Sequence, residues 1–316
     1  MALKLKTELC ELLGIKYPLI QGAMILISNA ELAAAVSNAG GLGVISFNTA
    51  GRDPEALRAE LRKAKSLTDR PFGVNFPIDE ELIISYIQVA IEEGVQVATT
   101  SAGRPIVYTG LLKDAGMKVL HVVGAVRHAI AAQEAGVDAI IAEGYEAGGH
   151  NAPDELTTMA LVPQVVDAVQ IPVVAAGGIA DGRGLVAALA LGAKGVQIGT
   201  RFIATPECGA HPAYKQAIIE ARDNATITHG RRLGLLTRSL RNQMTAEVLE
   251  MEGKGLSVDE LVAYIGPGRA YRALKEGDVT EGEAFCGQIA GMVREMMPAG
   301  EIVRNIIAQA EALLAS

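Results

Sequence analysis

The sequence predicts an α/β protein in which a parallel (β/α)8 barrel of the TIM type precedes a smaller helical domain. Eight short, β-rich apolar runs recur through the first two thirds of the chain, and their starts lie 21 to 33 residues apart. This spacing suits one strand plus a returning helix, and such runs are typical of parallel strands buried on both faces. The runs cover 18–22, 42–46, 72–75, 95–99, 118–122, 139–143, 172–176 and 195–198.

Helical patterns separate the apolar runs, and several of them stop at a glycine. The predicted helices include 30–39, 54–66, 80–93, 126–135 and 182–191, and the N-terminal segment 1–15 has the pattern of an amphipathic helix. A glycine at position 40, 94, 136 or 192 fits the left-handed conformation that commonly ends a helix. Eight such units predict a closed barrel that ends near residue 204.

A doubly wound sheet is the alternative to the barrel. That fold normally carries a GxGxxG loop after its first strand, and residues 21–27 contain no such pattern. Beyond residue 204 the periodicity is helical, with no further strand repeat. The helices predicted there cover 213–223, 244–252, 258–265, 268–275, 287–295 and 300–315.

Composition excludes several classes of protein. Half of the 316 residues are hydrophobic and 20% are charged, which excludes a disordered chain. The net charge of -8 argues against nucleic acid as a main partner. Three widely spaced cysteines without a CxxC pair predict buried thiols in a reducing cytoplasm. We predict no signal peptide, because the N-terminal segment lacks a long apolar region, and no membrane span, because breakers interrupt every long apolar stretch.

Small residues follow the last two apolar runs, where a barrel of this type carries its chemistry. Gly177 and Gly178 follow the seventh run, and Gly199 and Thr200 follow the eighth. Because glycines leave backbone N–H groups uncovered, these loops predict a phosphate site. The alternative is that the glycines serve only the turns.

His150 is the strongest candidate for a catalytic side chain. It follows two glycines in a long loop after the sixth run, and an imidazole can donate a proton near neutral pH. His121 lies inside the fifth run and is expected to be a core or supporting histidine, whereas His128 and His229 have the pattern of surface positions. No HExxH motif or clustered triad is present, so we predict no catalytic metal.

Residues 229–241 form a locally basic segment in a chain whose net charge is negative. It carries four arginines, and no acid occurs from residue 224 to residue 246. A solvated face, or ion pairs with the acidic remainder, would explain it. Alternatively, Arg231 and Arg232 bind a phosphate or an acidic carrier, since arginine recognises such groups through paired donors.

Seven motifs in order along nearly the whole chain carry a resemblance. The chain resembles the nitronate monooxygenase (2-nitropropane dioxygenase-like) flavoproteins, a family that includes the FMN-dependent enoyl-acyl-carrier-protein reductase II enzymes and some NAD(P)H:quinone reductases. The motifs are YPLIQGAM (17–24), AGGLG (39–43), PFGVN (71–75), EAGGH (146–150), AAGGIADG (175–182), QIGTRF (197–202) and GQIAG (287–291).

The resemblance implies an FMN at the mouth of the barrel, with NADH or NADPH as the reductant in the reductase branches. His150 matches the active-site histidine of the family. The positions implied to contact the flavin are Gly22, Ala23, Met24, Asn75, Val122, Glu143 and Gly148, with Gly177, Gly178, Gly199 and Thr200 at its phosphate.

The resemblance also implies a division into three parts and a possible homodimer. The parts are an FMN-binding barrel at 1–204, a helical substrate-binding domain at 205–284, and C-terminal helices at 285–316 that return to the barrel. Arg231 and Arg232 would then dock an acyl-carrier-protein substrate or the phosphate of NADPH.

The substrate stays open between three reactions. The run 146–150 with LTTM at 156–159 most resembles enoyl-carrier reductase II, in which reduced FMN delivers hydride to an enoyl thioester. Against this, Ala23 replaces a usual glycine, and SAGRP at 101–105 departs from the usual pattern. A nitronate monooxygenase that uses O2 and an NAD(P)H:quinone reductase are the alternatives.

Overall fold

The computed structural model describes residues 4–78, 82–266 and 268–315, and it confirms the predicted barrel. Eight parallel strands close into one barrel in the order β1-β2-β3-β4-β5-β6-β8-β9. The strands are β1 Leu19–Gln21, β2 Leu42–Ser46, β3 Phe72–Pro77, β4 Val97–Ser101, β5 Lys118–Val123, β6 Ala139–Glu143, β7 Gly149–His150, β8 Val173–Ala176, β9 Gly195–Ile198, β10 Thr226–His229 and β11 Thr237–Leu240.

Pairing of the first and last barrel strands closes the sheet. Ile20 of β1 lies opposite Leu42 of β2 and Gln197 of β9. The strands are apolar and almost wholly buried because helices cover their outer faces. A Cβ at Gly43 would overlap the backbone of Ala33, so this glycine lets the first returning helix lie directly on β2.

The helices predicted after the barrel strands are confirmed within about three residues at each end. The predicted N-terminal helix is wrong at residues 4–7, which are not helical, because the first helix begins only at Glu8. The described residues form fourteen α-helices. They are α1 Glu8–Leu13, α2 Ala30–Asn38, α3 Pro54–Leu67, α4 Ile83–Glu92, α5 Ile106–Asp114, α6 Val126–Glu134, α7 Thr158–Ala168, α8 Gly182–Ala190, α9 Thr200–Ile203, α10 Pro212–Glu220, α11 Gln243–Gly253, α12 Val258–Ile265, α13 Arg269–Leu274 and α14 Ala299–Ala315. The predicted start of α4, at residues 80 and 81, lies outside the described residues, as do residues 1–3 of the predicted N-terminal helix.

The glycines that were predicted to end helices have the expected left-handed conformation. Gly40, Gly94, Gly136 and Gly192 all have positive φ, between 65° and 100°. At the other end of the helices, the side chain of Asn29 caps α2 and that of Asp53 caps α3 ahead of Pro54. Each cap satisfies a backbone N–H group that has no partner within the helix.

A small antiparallel sheet corrects the prediction of helices alone beyond residue 204. β10 pairs with β11, and β11 pairs with β7, so that Thr237 lies opposite His150. The strands have four, four and two residues, too few to show an alternating pattern. Gly230 and Gly234, both with positive φ, form the turn between β10 and β11.

The C-terminal segment returns to the barrel. A 3-10 helix, Gln288–Met292, stands where the sequence predicted a longer helix at 287–295. A Cβ at Gly291 would meet the carbonyl oxygen of Arg222 at 2.8 Å, so tight packing replaces regular helix there. After it, α14 packs against α8 and α2, and Gly182 donates its N–H to the Gln309 side chain at 2.8 Å. Within the described ranges, no helix is both long and apolar enough to cross a membrane.

Candidate active site

One cavity of about 520 Å³ lies at the carboxyl ends of the barrel strands and receives every predicted catalytic and flavin-contacting residue. A volume of this size is typical of small-molecule and cofactor sites. The predicted residues that line it are Gly22, Ala23, Met24, Asn75, Val122, Glu143, Gly148, His150, Gly177, Gly178, Gly199 and Thr200.

Backbone N–H groups face one end of this cavity. Gly177 and Gly178 have φ of 86° and 71°, a conformation that turns the chain sharply after β8. Within the described residues, the backbone N–H groups of Gly178, Gly199 and Thr200 donate no hydrogen bond. A Cβ at Gly199 would touch only the Met24 side chain, at 3.8 Å. This end of the cavity can therefore hold an anion such as a phosphate.

A buried glutamine fixes the wall formed by residues 22–28. The Gln21 side chain donates to the Gly22 carbonyl oxygen at 2.6 Å and to Ser28 Oγ at 3.1 Å, and accepts the Val44 N–H at 3.2 Å. Ser28 Oγ in turn accepts the Met24 N–H at 2.8 Å. The loop is thereby held open toward the cavity, with its backbone along one side.

Two polar side chains stand at the base of the cavity. Asn75 donates from Nδ2 to Thr99 Oγ1 at 3.0 Å, which fixes its amide and leaves its oxygen as an acceptor. Glu143 ends β6, and burial raises the pKa of its carboxyl to about 7. At neutral pH this carboxyl is partly protonated and can act as a hydrogen-bond donor.

The Glu143 carboxyl makes stability depend on pH in a definite direction. Between about pH 4.5 and 7 the unfolded chain releases this proton while the folded protein retains it, so the free energy of unfolding falls as the pH rises. The expected total is about 3 kcal/mol. Urea unfolding at pH 5 and at pH 8 gives the fall in the free energy of unfolding between these two pH values. This fall should be smaller in Glu143→Gln than in wild type by about 3 kcal/mol. Equal losses in both proteins would contradict the assignment.

His150 reaches the cavity from β7. It is solvent-exposed, and its ring lies 6.0 Å from that of Phe285, edge to face. Strand pairing with β11 fixes its backbone, and Asn151 donates its N–H to Leu236 at 2.7 Å just beyond. The histidine is therefore held by a small sheet rather than by a free loop, at the open side of the cavity.

The C-terminal segment completes the cavity, and the sequence motifs did not identify this contribution. Gly287 donates its N–H to Thr200 Oγ1 at 2.8 Å, and Gln288 donates to the Glu146 carbonyl oxygen at 2.9 Å. A Cβ at Gly148 would overlap the backbone of Cys286. The motif at 287–291 showed that this segment contains glycines, but it did not show that the segment contacts Thr200, Glu146 and Gly148.

Glu146 also went unrecognised as part of the site. Its carboxylate accepts the N–H of Thr158 at 2.8 Å and the hydroxyl of Thr158 at 3.1 Å. The same hydroxyl lies 2.9 Å from the Gly177 carbonyl oxygen. Glu146 thus ties the loop after β6 to the start of α7 and to the glycine turn after β8.

The other histidines confirm two predictions and correct one. His121 is buried in β5, where Thr100 Oγ1 lies 2.7 Å from its Nδ1 and burial lowers its pKa to about 4. His128 is exposed, as expected. His229 is not at the surface. It is 2% exposed, lies 3.3 Å from Ser239 Oγ, and has a pKa lowered by burial to about 4, because β10 turns it inward.

The four arginines of the basic segment do not form one exposed patch. Arg238 is buried and donates to the Tyr145 carbonyl oxygen at 3.1 Å, while Arg241 binds the Asn224 carbonyl oxygen at 2.8 Å. Arg231 and Arg232 are exposed on the turn between β10 and β11, outside the cavity lining, and Arg231 forms an ion pair with Glu155.

The described residues contain no group of three or more His, Cys, Asp or Glu side chains arranged to hold a metal ion. The three cysteines are buried free thiols, as predicted. Burial raises the pKa of Cys208 to about 11, and it also raises that of Cys286, at the cavity wall. Both are therefore protonated at neutral pH and are poor nucleophiles.

Comparison with known proteins places the chain in a family. The model of the nitronate monooxygenase family matches residues 6–309. A probable nitronate monooxygenase of Staphylococcus saprophyticus is 34% identical, with 99% of each chain covered. The (3aS,4S,5R,7aS)-5-hydroxy-7a-methyl-1-oxo-octahydro-1H-indene-4-carboxyl-CoA dehydrogenase of Mycobacterium tuberculosis is 34% identical, with 98% of this chain and 97% of that one covered.

A solved structure shows the same likeness in three dimensions. FabK from Thermotoga maritima is 40% identical to this chain and superposes with a TM-score of 0.93, covering 99% of this chain and 98% of that one. Barrel, cavity and motifs agree with the family match. The chain is an oxidoreductase that belongs to the nitronate monooxygenase family.

Proposed function

We propose that this protein is an FMN-dependent NAD(P)H oxidoreductase that reduces the enoyl thioester of an acyl carrier. FabK is an enoyl-acyl-carrier-protein reductase II, and its similarity to this chain over nearly the whole of both chains supports this choice among the reactions of the family. The named substrate of the mycobacterial relative is also an acyl thioester, of coenzyme A. Both likenesses support an acyl thioester as the substrate class.

The cavity fits an FMN. The N–H groups of Gly178, Gly199 and Thr200 are available for a phosphate, and the absence of a Cβ at Gly199 leaves room for it. The backbone of residues 22–24 and the Asn75 amide would border the flavin ring. When bound, a flavin supplies hydride transfer between NAD(P)H and the substrate.

His150 would serve as the electrophilic or acid group. Hydride addition at the β-carbon of an enoyl thioester places negative charge on the thioester oxygen and the α-carbon. A histidine at the open side of the cavity can donate a hydrogen bond to that oxygen or a proton to that carbon. Its backbone is fixed by β11, so little reorganisation is needed.

Nitronate oxidation with O2 is the second candidate, and the similarity to the staphylococcal probable nitronate monooxygenase favours it. There His150 would act as a base or orient the nitronate. Reduction of a quinone by NAD(P)H is the third candidate. The free thiols fit work in a reducing compartment such as the cytoplasm.

Steady-state assays separate the three candidates. The purified protein should carry bound FMN and should oxidise NADH or NADPH in the presence of crotonyl thioester, with one saturated thioester formed for each nucleotide consumed. Turnover of a nitronate with O2, or of a quinone alone, with no thioester reduction would overturn the proposal in favour of that alternative.

Arg231 and Arg232 are proposed to dock an acidic carrier protein or the NADPH phosphate. Both are exposed on the turn between β10 and β11, and Arg231 forms an ion pair with Glu155, which lies in the loop that follows His150. Replacing both with alanine should raise KM for carrier-bound substrate, or for NADPH, about three- to tenfold, and the difference should shrink at high salt. KM for a thioester of N-acetylcysteamine should stay unchanged.

Arg62→Ala, an exposed ion-paired arginine on α3, is the matched control for this pair of substitutions. If the double variant keeps wild-type KM values for both the carrier-bound substrate and NADPH, the two arginines form only a solvated face.

A further inference from the structure

A second cavity of about 490 Å³ lies outside the barrel wall, between β5 and the helices α5 and α6. We call it the side groove. Most of its lining is apolar or small, and its charged members, Arg104 and Glu134, are exposed to solvent, as is His128. The other lining residues are Ala102, Gly103, Pro105, Ile106, His121, Val122, Val123, Gly124, Ala131 and Ala135.

The side groove adjoins the main cavity. Four residues line both spaces: Ala102, Val122, Val123 and Gly124. They stand where β4 and β5 end, so the two spaces meet over the rim of the barrel. A ligand held beside His150 would have only this rim to cross to reach the groove.

The groove lies between two neighbouring helices that stand apart. The pairs α2–α3, α3–α4 and α6–α7 pack against each other, whereas α5 and α6 make little contact. Ala102 and Gly103 turn sharply, with φ of 55° and 59°, between β4 and α5. On the facing helix, the small side chains of Ala131 and Ala135 leave the space open.

The lining favours an uncharged, flexible chain. Ile106, Val122 and Val123 supply apolar surface. His121 is held by Thr100 and is neutral at physiological pH, because burial lowers its pKa to about 4. In the two-substrate reaction proposed above, FMN takes up much of the main cavity, so a long acyl group needs further apolar space.

We infer that the side groove binds the acyl tail of the thioester substrate, while the reacting carbons stay in the main cavity beside His150. This inference rests on the proposed function and adds a determinant of chain length. Burial of each further methylene should improve binding by up to about fourfold until the groove is filled. The exposed Arg104 and Glu134 would limit the length that is accepted.

The test measures kcat/KM for crotonyl, hexenoyl, octenoyl and decenoyl thioesters. It uses the wild-type holoenzyme and variants with single substitutions in α6. Ala131 lines the groove and is exposed, so Ala131→Phe should fill it and Ala131→Asp should charge it without disturbing the core. Ile130→Asp places the same charge on the adjacent exposed residue, outside the groove lining.

In wild type, kcat/KM should rise about tenfold or more from crotonyl to decenoyl thioester. Both Ala131 variants should lose most of that gain while keeping wild-type kcat/KM for crotonyl thioester, and Ile130→Asp should keep the gain. Titration calorimetry with saturated decanoyl-CoA should show a matching loss of affinity in the Ala131 variants alone.

Different failures are distinguishable. If no enoyl thioester is reduced, the proposed reaction is wrong, and the decanoyl-CoA titration still decides the groove. If thioesters are reduced without chain-length preference, or if the Ala131 variants keep that preference, the groove does not hold the tail. A rise in KM for NADPH in the Ala131 variants, with chain preference intact, would assign the groove to the nucleotide instead.

Discussion

Replacement of His150 with alanine should lower kcat for thioester reduction by about 10²- to 10⁴-fold, the usual loss when a positioned proton donor is removed. The imidazole stands at the open side of the cavity, where charge would develop on the thioester oxygen. Because His150 is exposed and its backbone is held by pairing with β11, the substitution should leave the fold and the bound flavin intact. Turnover and flavin absorbance, measured on the same preparation, check both halves of this expectation.

Two further observations distinguish a catalytic loss from a structural one. Bleaching of the flavin by NAD(P)H should proceed at the wild-type rate in His150→Ala, and added imidazole should restore part of the turnover. Wild-type kinetics in the variant would remove His150 from the mechanism. Loss of flavin together with activity would make the residue part of the cofactor site instead.

Substitution of Gly199 with aspartate should release most of the flavin. At this position φ is -108°, and a Cβ would touch only Met24 at 3.8 Å, so the protein itself tolerates a side chain. The new carboxylate would face the phosphate at close range, where like charges about 4 Å apart cost about 4 kcal/mol near a protein surface. The dissociation constant for FMN should therefore rise about a thousandfold, measured by ultrafiltration and fluorescence of released flavin.

Gly199 gives a cleaner test than Gly178, the other glycine at the predicted phosphate site. Gly178 has φ of 71°, and a Cβ there would meet Glu146 Oε1 at 3.3 Å, so Gly178→Asp would lose flavin through backbone strain as well as charge. Gly253→Asp is the matched control, because that glycine ends α11 with open space around it. Undiminished flavin content in Gly199→Asp would show that the phosphate lies elsewhere.

The barrel could be predicted because its signals are local. Most of the barrel strands are short, mainly apolar runs, and glycines such as Gly94 and Gly136 end the helices before the next strands in the left-handed conformation. In barrels of this type the chemistry lies at the carboxyl ends of the strands. This rule predicted that His150 and the glycines at 177, 178 and 199 share one cavity, and they do. Neither step required knowledge of long-range contacts.

The small sheet and the C-terminal wall could not be predicted in this way. Two residues of β7 pair with a strand almost 90 positions later, and neither partner shows a strand pattern by itself. The sequence pattern predicted His229 at the surface, whereas β10 turns it inward toward Ser239. The contact of Gly148 with Cys286 depends on the return of the chain after residue 284, which no local pattern encodes.

Anaerobic stopped-flow absorbance of the flavin tests the central claim most directly. Mixing with NADH or NADPH should bleach the oxidised flavin, and subsequent mixing with crotonyl thioester should restore it, with one saturated thioester formed for each flavin reoxidised. Reoxidation by a quinone but not by the thioester, or bleaching by a nitronate but by neither nucleotide, would contradict the assignment of this site to enoyl-thioester reduction.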